Sequence, residues 1–145
     1  MAKILVSACL LGVNCRYKGD GKPCRAVLDM AGKHTLIPVC PEQMGGLPTP
    51  RPPAEQKGGR VVTKDGADLT DAFVRGARDA LIPALLNGAD YAVLKARSPS
   101  CGKGKVYDGS FSGTLVDGDG VFAALLKKEG IPVYTEEELH EIPED

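Results

Sequence analysis

Tryptophan is absent, and only three phenylalanines and four tyrosines occur in 145 residues. So few aromatic rings argue against the base-stacking platforms that bind single-stranded nucleic acid. Neither sign of charge dominates: 18 basic and 19 acidic residues leave a formal net charge of -1. Interspersed charges give no electrostatic footprint for nucleic acid or for an anionic membrane surface. Histidine is confined to His34, at the start of an apolar segment, and His140, near the C-terminus. Neither stands where a metal ligand or a catalytic base is expected. There is no apolar run long enough to cross a bilayer and no signal-peptide architecture, since Ile4-Leu5-Val6 enters a strand at once. The expected setting is therefore cytoplasmic, with a small-molecule partner and no membrane. Cys-x-x-Cys, His-Glu-x-x-His, P-loop and Rossmann glycine patterns are all missing.

What remains is ordinary globular material, 43% hydrophobic and 26% charged, enough for one domain over residues 1–145. Strands are expected at Lys3 to Ala8, His34 to Val39, Tyr91 to Ala96 and Ile131 to Tyr134, with Pro38 marking an edge. Helices are expected from Arg25 to Ala31, closed by Gly32, and from Asp71 to Asn87, capped by Thr70 and Gly88 and kinked at Pro83. A third runs from Gly120 to Glu129 behind Asp119. Arg60–Thr63 is expected to turn through Asp65-Gly66 into Ala67-Asp68 as a hairpin, and Lys105–Phe111 forms a second excursion. Thr135 and Glu138 have capping-box spacing for a short terminal helix, and the acidic stretch Glu136 to Asp145 reads as solvated surface. Alternating strands and helices predict an α/β fold: one layered domain with a mainly parallel sheet, helices on its faces and small hairpin excursions.

Five cysteines are present: Cys9, Cys15, Cys24, Cys40 and Cys101. An odd number in a reducing compartment favours metal or catalytic use over disulfides. Three of them share a form in which a short apolar strand delivers a thiol into a loop rich in glycine or proline. Ligands in parallel sheets bind outside the carboxyl ends of the strands, so Cys9, Cys40 and Cys101 are expected to converge at one edge. Three thiols without a suitable histidine suit a soft metal centre, and iron–sulfur clusters are held by cysteine thiolates. Four irons with three protein ligands would leave one iron open to substrate. Other readings stand beside this one. Each cysteine is a small buried hydrophobe; the cluster belongs to a sensor or sulfur carrier without turnover; or Cys40 is a metal-free nucleophile with Glu42 as its base. Cys15 is expected to line the site and Cys24 to be incidental. The stretch Cys40–Glu55 is expected to be loop, pinned by an Arg51–Glu55 pair. Lys95 either meets the cluster or substrate or snorkels at the surface. Arg16 and Tyr17 line the pocket or are simply exposed.

Three separate stretches carry a resemblance. They are Ser7-Ala8-Cys9-Leu10-Leu11-Gly12 with Cys15-Arg16-Tyr17, Pro38-Val39-Cys40-Pro41-Glu42 with Gly45-Gly46-Leu47-Pro48-Thr49-Pro50-Arg51, and Lys95 with Ser98-Pro99-Ser100-Cys101-Gly102. Together, and in this order, the chain resembles a bacterial family whose characterised members are thiouracil desulfidases. The resemblance implies a [4Fe-4S] cluster held by Cys9, Cys40 and Cys101, with an active-site carboxylate at Glu42 and a hydroxyl at Ser98. Cys15, Arg16, Lys95 and Ser100 are the candidate substrate-facing residues. The implied activity is non-redox removal of sulfur from a thiolated nucleobase or a related small thiocarbonyl compound. The chain departs from the family pattern at Lys18, where Asp more often precedes Gly.

Overall fold

The apolar run after Lys3 becomes strand β1 (Lys3–Ser7), whose Ile4, Leu5 and Val6 are fully buried. Burial on both faces is what a central parallel strand requires. A computed structural model, describing residues 1–143, flanks β1 with β2 (Thr35–Val39) and β5 (Tyr91–Leu94). Strand β8 (Val133–Thr135) pairs with β5, giving the all-parallel order β2-β1-β5-β8. Pro38 sits on the edge strand, as expected.

Helices cover both faces. On one, α3 (Thr70–Asn87) and α4 (Val121–Lys128) pack Ala77, Ala80, Ala84, Phe122 and Leu126 against Leu5, Ala92 and Leu94. On the other, α1 (Arg25–Asp29) supplies Val27, which joins Ile4, Val6, Val93, Leu10, Cys9 and Cys15. Helix α3 is a single element through Pro83. Among the described residues, no helix is long and apolar enough to cross a membrane.

Several local expectations need correction. The Cys40–Glu55 stretch is not loop throughout. Pro41 occupies the first position of a one-turn helix, α2 (Pro41–Met44), where its missing N–H is no loss. At the far end, β3 (Ala54–Lys57) pairs antiparallel with β4 (Arg60–Thr63) across Gly58-Gly59, both at positive φ. The hairpin thus forms on the N-terminal side of Arg60, because two glycines supply the backbone that a tight turn demands. Asp65-Gly66 still turns the chain, but only one bridge, Val62 to Asp68, follows.

Thr70 lies inside α3, where its Oγ1 accepts from the Val61 N–H at 2.9 Å, while Asp68 accepts the Thr70 N–H at 2.9 Å. Asp119 does not cap α4; it accepts from the Gly104 N–H and from Lys127 Nζ. The second excursion is a hairpin of β6 (Lys105–Tyr107) and β7 (Leu115–Asp117). Glu138 does reach back to the Thr135 N–H at 3.0 Å, but a single 3-10 turn, Leu139–Glu141, follows in place of an α-helix.

Candidate active site

The three cysteine-bearing loops leave the same edge of the sheet because β2, β1 and β5 are adjacent and parallel. Register places Ser7 opposite Val39, so the ends of β1 and β2 are level. Beyond β1, Ala8–Leu11 makes a 3-10 turn that carries Cys9 and ends at Gly12, φ 97°. Beyond β2, Cys40 is the residue on which α2 begins. Beyond β5, the chain is tied back to β1 by a Lys95 N–H bond to Ser7 Oγ at 2.9 Å. It then turns at Ser98, whose Oγ accepts from the N–H of Ser100 (3.2 Å) and of Cys101 (3.0 Å). Gly120 lets α4 press on this turn: a Cβ there would meet the Ser100 carbonyl at 2.4 Å.

The thiols occupy distinct environments. Cys15 contacts both Cys40 and Cys9, and Cys40 Sγ donates to the Cys15 carbonyl at 3.8 Å. The Cys40 contact lowers the Cys15 pKa, but the Cys9 contact, burial and the nearby Cys9 charge outweigh it, leaving Cys15 pushed up to about 11. Cys40 is driven up by its contact with Cys15 and then by burial. Burial pushes Cys101 up to about 12, against the Ser7 and Ser100 hydroxyls that face its sulfur. A nucleophilic cysteine needs the opposite, a thiolate favoured by its surroundings.

An all-sulfur donor set on three loops fits a soft, polynuclear iron–sulfur group. Among the described residues, no three His, Cys, Asp or Glu side chains gather as a single-ion chelate. Cluster ligands attach to different irons, so they need not surround one point.

Glu42 links the loops. Its Oε1 accepts from Arg51 Nε at 3.2 Å and its Oε2 from Ser100 Oγ at 3.0 Å. Ser100 Oγ also lies 3.1 Å from Ser98 Oγ. Ser98 therefore reaches the carboxylate through Ser100, its lone pairs being taken by the two backbone N–H groups. Arg51 does not pair with Glu55 as expected. Glu55 instead accepts from the Gly109 N–H (3.0 Å) and the Phe111 N–H (3.1 Å), bracing the β6–β7 hairpin. Pro52-Pro53 carry the chain away from the site, which separates the two side chains that looked like partners.

Arg16 pairs with Asp20 at 3.0 Å and lies 5.6 Å from the Tyr17 ring centroid, on the loop that begins at Cys9. Lys95 Nζ bonds Glu136 Oε2 at 3.0 Å and so faces the acidic segment. That segment is not merely solvated surface. Glu136, Glu137 and Glu138 pair with Lys95, Arg97 and Lys103, which flank the Ser98 turn. Residues 144 and 145 lie outside the described residues. Two participants escaped the sequence reading: Ser7, whose hydroxyl reaches Cys101, and Arg51 as the partner of Glu42. Ser7 stands inside the first motif, so position alone marked it; nothing in one dimension pointed Arg51 to Glu42.

A parallel α/β sheet that sends three thiol-bearing loops from one carboxyl edge, linked through a partly buried carboxylate, defines a class of site suited to sulfur and soft metals. Within that class, the chain belongs to the 2-thiouracil desulfurase family, which matches residues 4–138. It is 41% identical over 149 residues to the uncharacterised protein YbbK of Bacillus subtilis (strain 168), covering 96% of this chain and 99% of that one. It is also similar to the solved structure of TudS, a [4Fe-4S]-dependent thiouracil desulfidase. That match has a TM-score of 0.88 and 47% identity, and covers 97% of this chain and 95% of that one.

Proposed function

We propose that the protein is an iron–sulfur-dependent desulfidase that replaces the sulfur of a thiolated nucleobase, or a related small thiocarbonyl compound, with oxygen. The observation that carries this reading is Glu42, held between Arg51 and Ser100 amid the loops of Cys9, Cys40 and Cys101. Those three cysteines would hold a [4Fe-4S] cluster, the group on which the similar thiouracil desulfidase TudS depends. When bound, such a cluster supplies a soft Lewis-acid iron suited to a thiocarbonyl sulfur. Glu42 takes the proton of the water that attacks the thiocarbonyl carbon, and returns a proton to the departing sulfur or a ring nitrogen. Ser100, oriented by Ser98, keeps the second carboxylate oxygen aimed into the site. Ser98 and the N–H groups around it stiffen the turn that carries Cys101. One C–O bond forms and one C–S bond breaks, hydrosulfide leaves, and no electrons are transferred overall. Cys15, Arg16 and Lys95 are the substrate-facing candidates in this reading, with Lys95 engaged by Glu136.

The test is anaerobic reconstitution followed by incubation with 2-thiouracil, with uracil measured by chromatography and sulfide by colorimetry. Uracil and sulfide in equal amounts, at many turnovers per chain, are expected. A fully loaded protein that yields neither contradicts the proposal.

A further inference from the structure

Among the described residues, Arg51 is the one charged residue in the buried core, with 9% of its surface exposed. A guanidinium taken out of water is unfavourable unless its donors are met, so where those donors go reveals what the residue holds together. Nε donates to Glu42 Oε1 at 3.2 Å, and Nη2 donates to the Cys15 carbonyl at 2.9 Å. Nη1 donates to the Pro48 carbonyl at 3.2 Å and Thr49 Oγ1 at 3.0 Å, while the Arg51 backbone N–H meets the Tyr17 carbonyl at 2.8 Å. These acceptors lie on the loop that starts at Cys9, on the turn that starts at Cys40, and on the proline-rich loop itself. The other Glu42 oxygen takes the Ser100 hydroxyl, next to Cys101. A guanidinium–carboxylate–hydroxyl chain therefore spans all three thiol-bearing loops.

We propose that Arg51 is a positioning residue of the desulfuration site. Its planar fork fixes the orientation of the Glu42 carboxylate and the spacing of the Cys9 and Cys40 loops. The inference rests on the functional reading above. It assigns the fork, not the charge alone, as what matters: a lysine ammonium is a point donor and cannot hold Glu42 and the Cys15 carbonyl at two fixed angles.

The test uses Arg51→Met and Arg51→Lys in the full chain. Each is reconstituted anaerobically and assayed with 2-thiouracil at activity normalised to bound cluster, alongside the rate of iron release to a chelator. A misplacement of about 1 Å costs on the order of 100-fold in rate, so Arg51→Met is expected to lose about that much kcat per cluster. KM is expected to stay within about threefold, and Arg51→Lys to recover only a minor part of the loss. Iron release is expected to quicken in both variants. Wild-type kcat per cluster in Arg51→Met, or full rescue by lysine, overturns the inference. Should Arg51→Met fail to fold, Arg51→Lys alone decides it. Should the loaded wild type leave 2-thiouracil untouched, the functional reading fails separately. The chelator rate then still judges Arg51, and equal release from wild type and Arg51→Lys overturns its role.

Discussion

Gly76 sits in the middle of α3 at the point where α2 crosses it. Its φ is not in the left-handed region, so alanine is conformationally allowed there and gains about 1 kcal/mol of helix propensity. Packing reverses the sign. A Cβ at Gly76 would lie 1.8 Å from the Pro41 carbonyl oxygen and 2.9 Å from the Gly45 N. Ordinary contact begins at 3.4 Å, so the oxygen would have to retreat by 3.4 - 1.8 = 1.6 Å, and it belongs to backbone that cannot swing away. The opposing glycine is no freer, since a Cβ at Gly45 would meet the Ala72 carbonyl at 2.1 Å. Overpacking costs up to about 3 kcal/mol, which less the propensity gain leaves about 2 kcal/mol of net destabilisation. For a chain of this size that is a fall in Tm of about 4–8 °C. Because Pro41 lies between Cys40 and Glu42, the same displacement should lower kcat per cluster on the order of 100-fold. Thermal unfolding of Gly76→Ala tests this against Gly32→Ala, where nothing lies within 4 Å of a new Cβ and the effect should be near zero or stabilising. A Gly76→Ala protein that melts at or above the wild-type temperature refutes the reasoning.

Other outcomes follow from the same geometry. Glu42→Gln should lower kcat by about 100-fold or more with cluster content unchanged, and unaltered turnover in a loaded variant would remove the carboxylate from the chemistry. In the cluster-free chain, Cys15 and Cys101 are pushed up to about 11 and about 12, so their thiolates form only well above neutrality. Alkylation mapped by mass spectrometry should therefore rise about tenfold per pH unit between pH 8 and 10 at both sites, and a plateau below pH 9 would contradict the raised values. Glu136→Ala strips a partner from Lys95 and leaves the Ala96 N–H, bonded at 2.7 Å, without an acceptor. A loss of about 1–3 kcal/mol is expected in denaturant titration, and none if the segment is only solvated surface. Glu55→Ala should destabilise the fold through the β6–β7 hairpin while sparing kcat per cluster; a kinetic effect as large as that of Arg51→Met would restore the Arg51–Glu55 pairing.

The sheet was legible because its strands are short apolar runs such as Ile4-Leu5-Val6 and Ala92-Val93-Leu94, buried on both faces. That the loops of Cys9, Cys40 and Cys101 leave one edge was legible for the same reason, since parallel neighbours deliver their carboxyl ends together. What escaped was set by tertiary contact. Proline and glycine in Cys40–Glu55 signalled loop, yet Pro41 is pre-organised for a first helical turn that Gly45 and Gly76 dock onto α3. Arg51 and Glu55 are four residues apart and of opposite charge, which made them look like a pair. The fold instead turns Arg51 inward to Glu42 and sends Glu55 to a hairpin more than fifty positions away in sequence. The run Glu136-Glu137-Glu138 looked like a solvated tail because its basic partners, Lys95, Arg97 and Lys103, lie 35 to 41 residues earlier.

The most direct measurement is iron and acid-labile sulfide per chain after anaerobic reconstitution of the wild type and of each of the five Cys→Ser variants. Near-stoichiometric cluster is expected in the wild type, Cys15→Ser and Cys24→Ser, with loss in Cys9→Ser, Cys40→Ser and Cys101→Ser. A full complement in any of those last three, or none in the wild type, contradicts the three-thiol site.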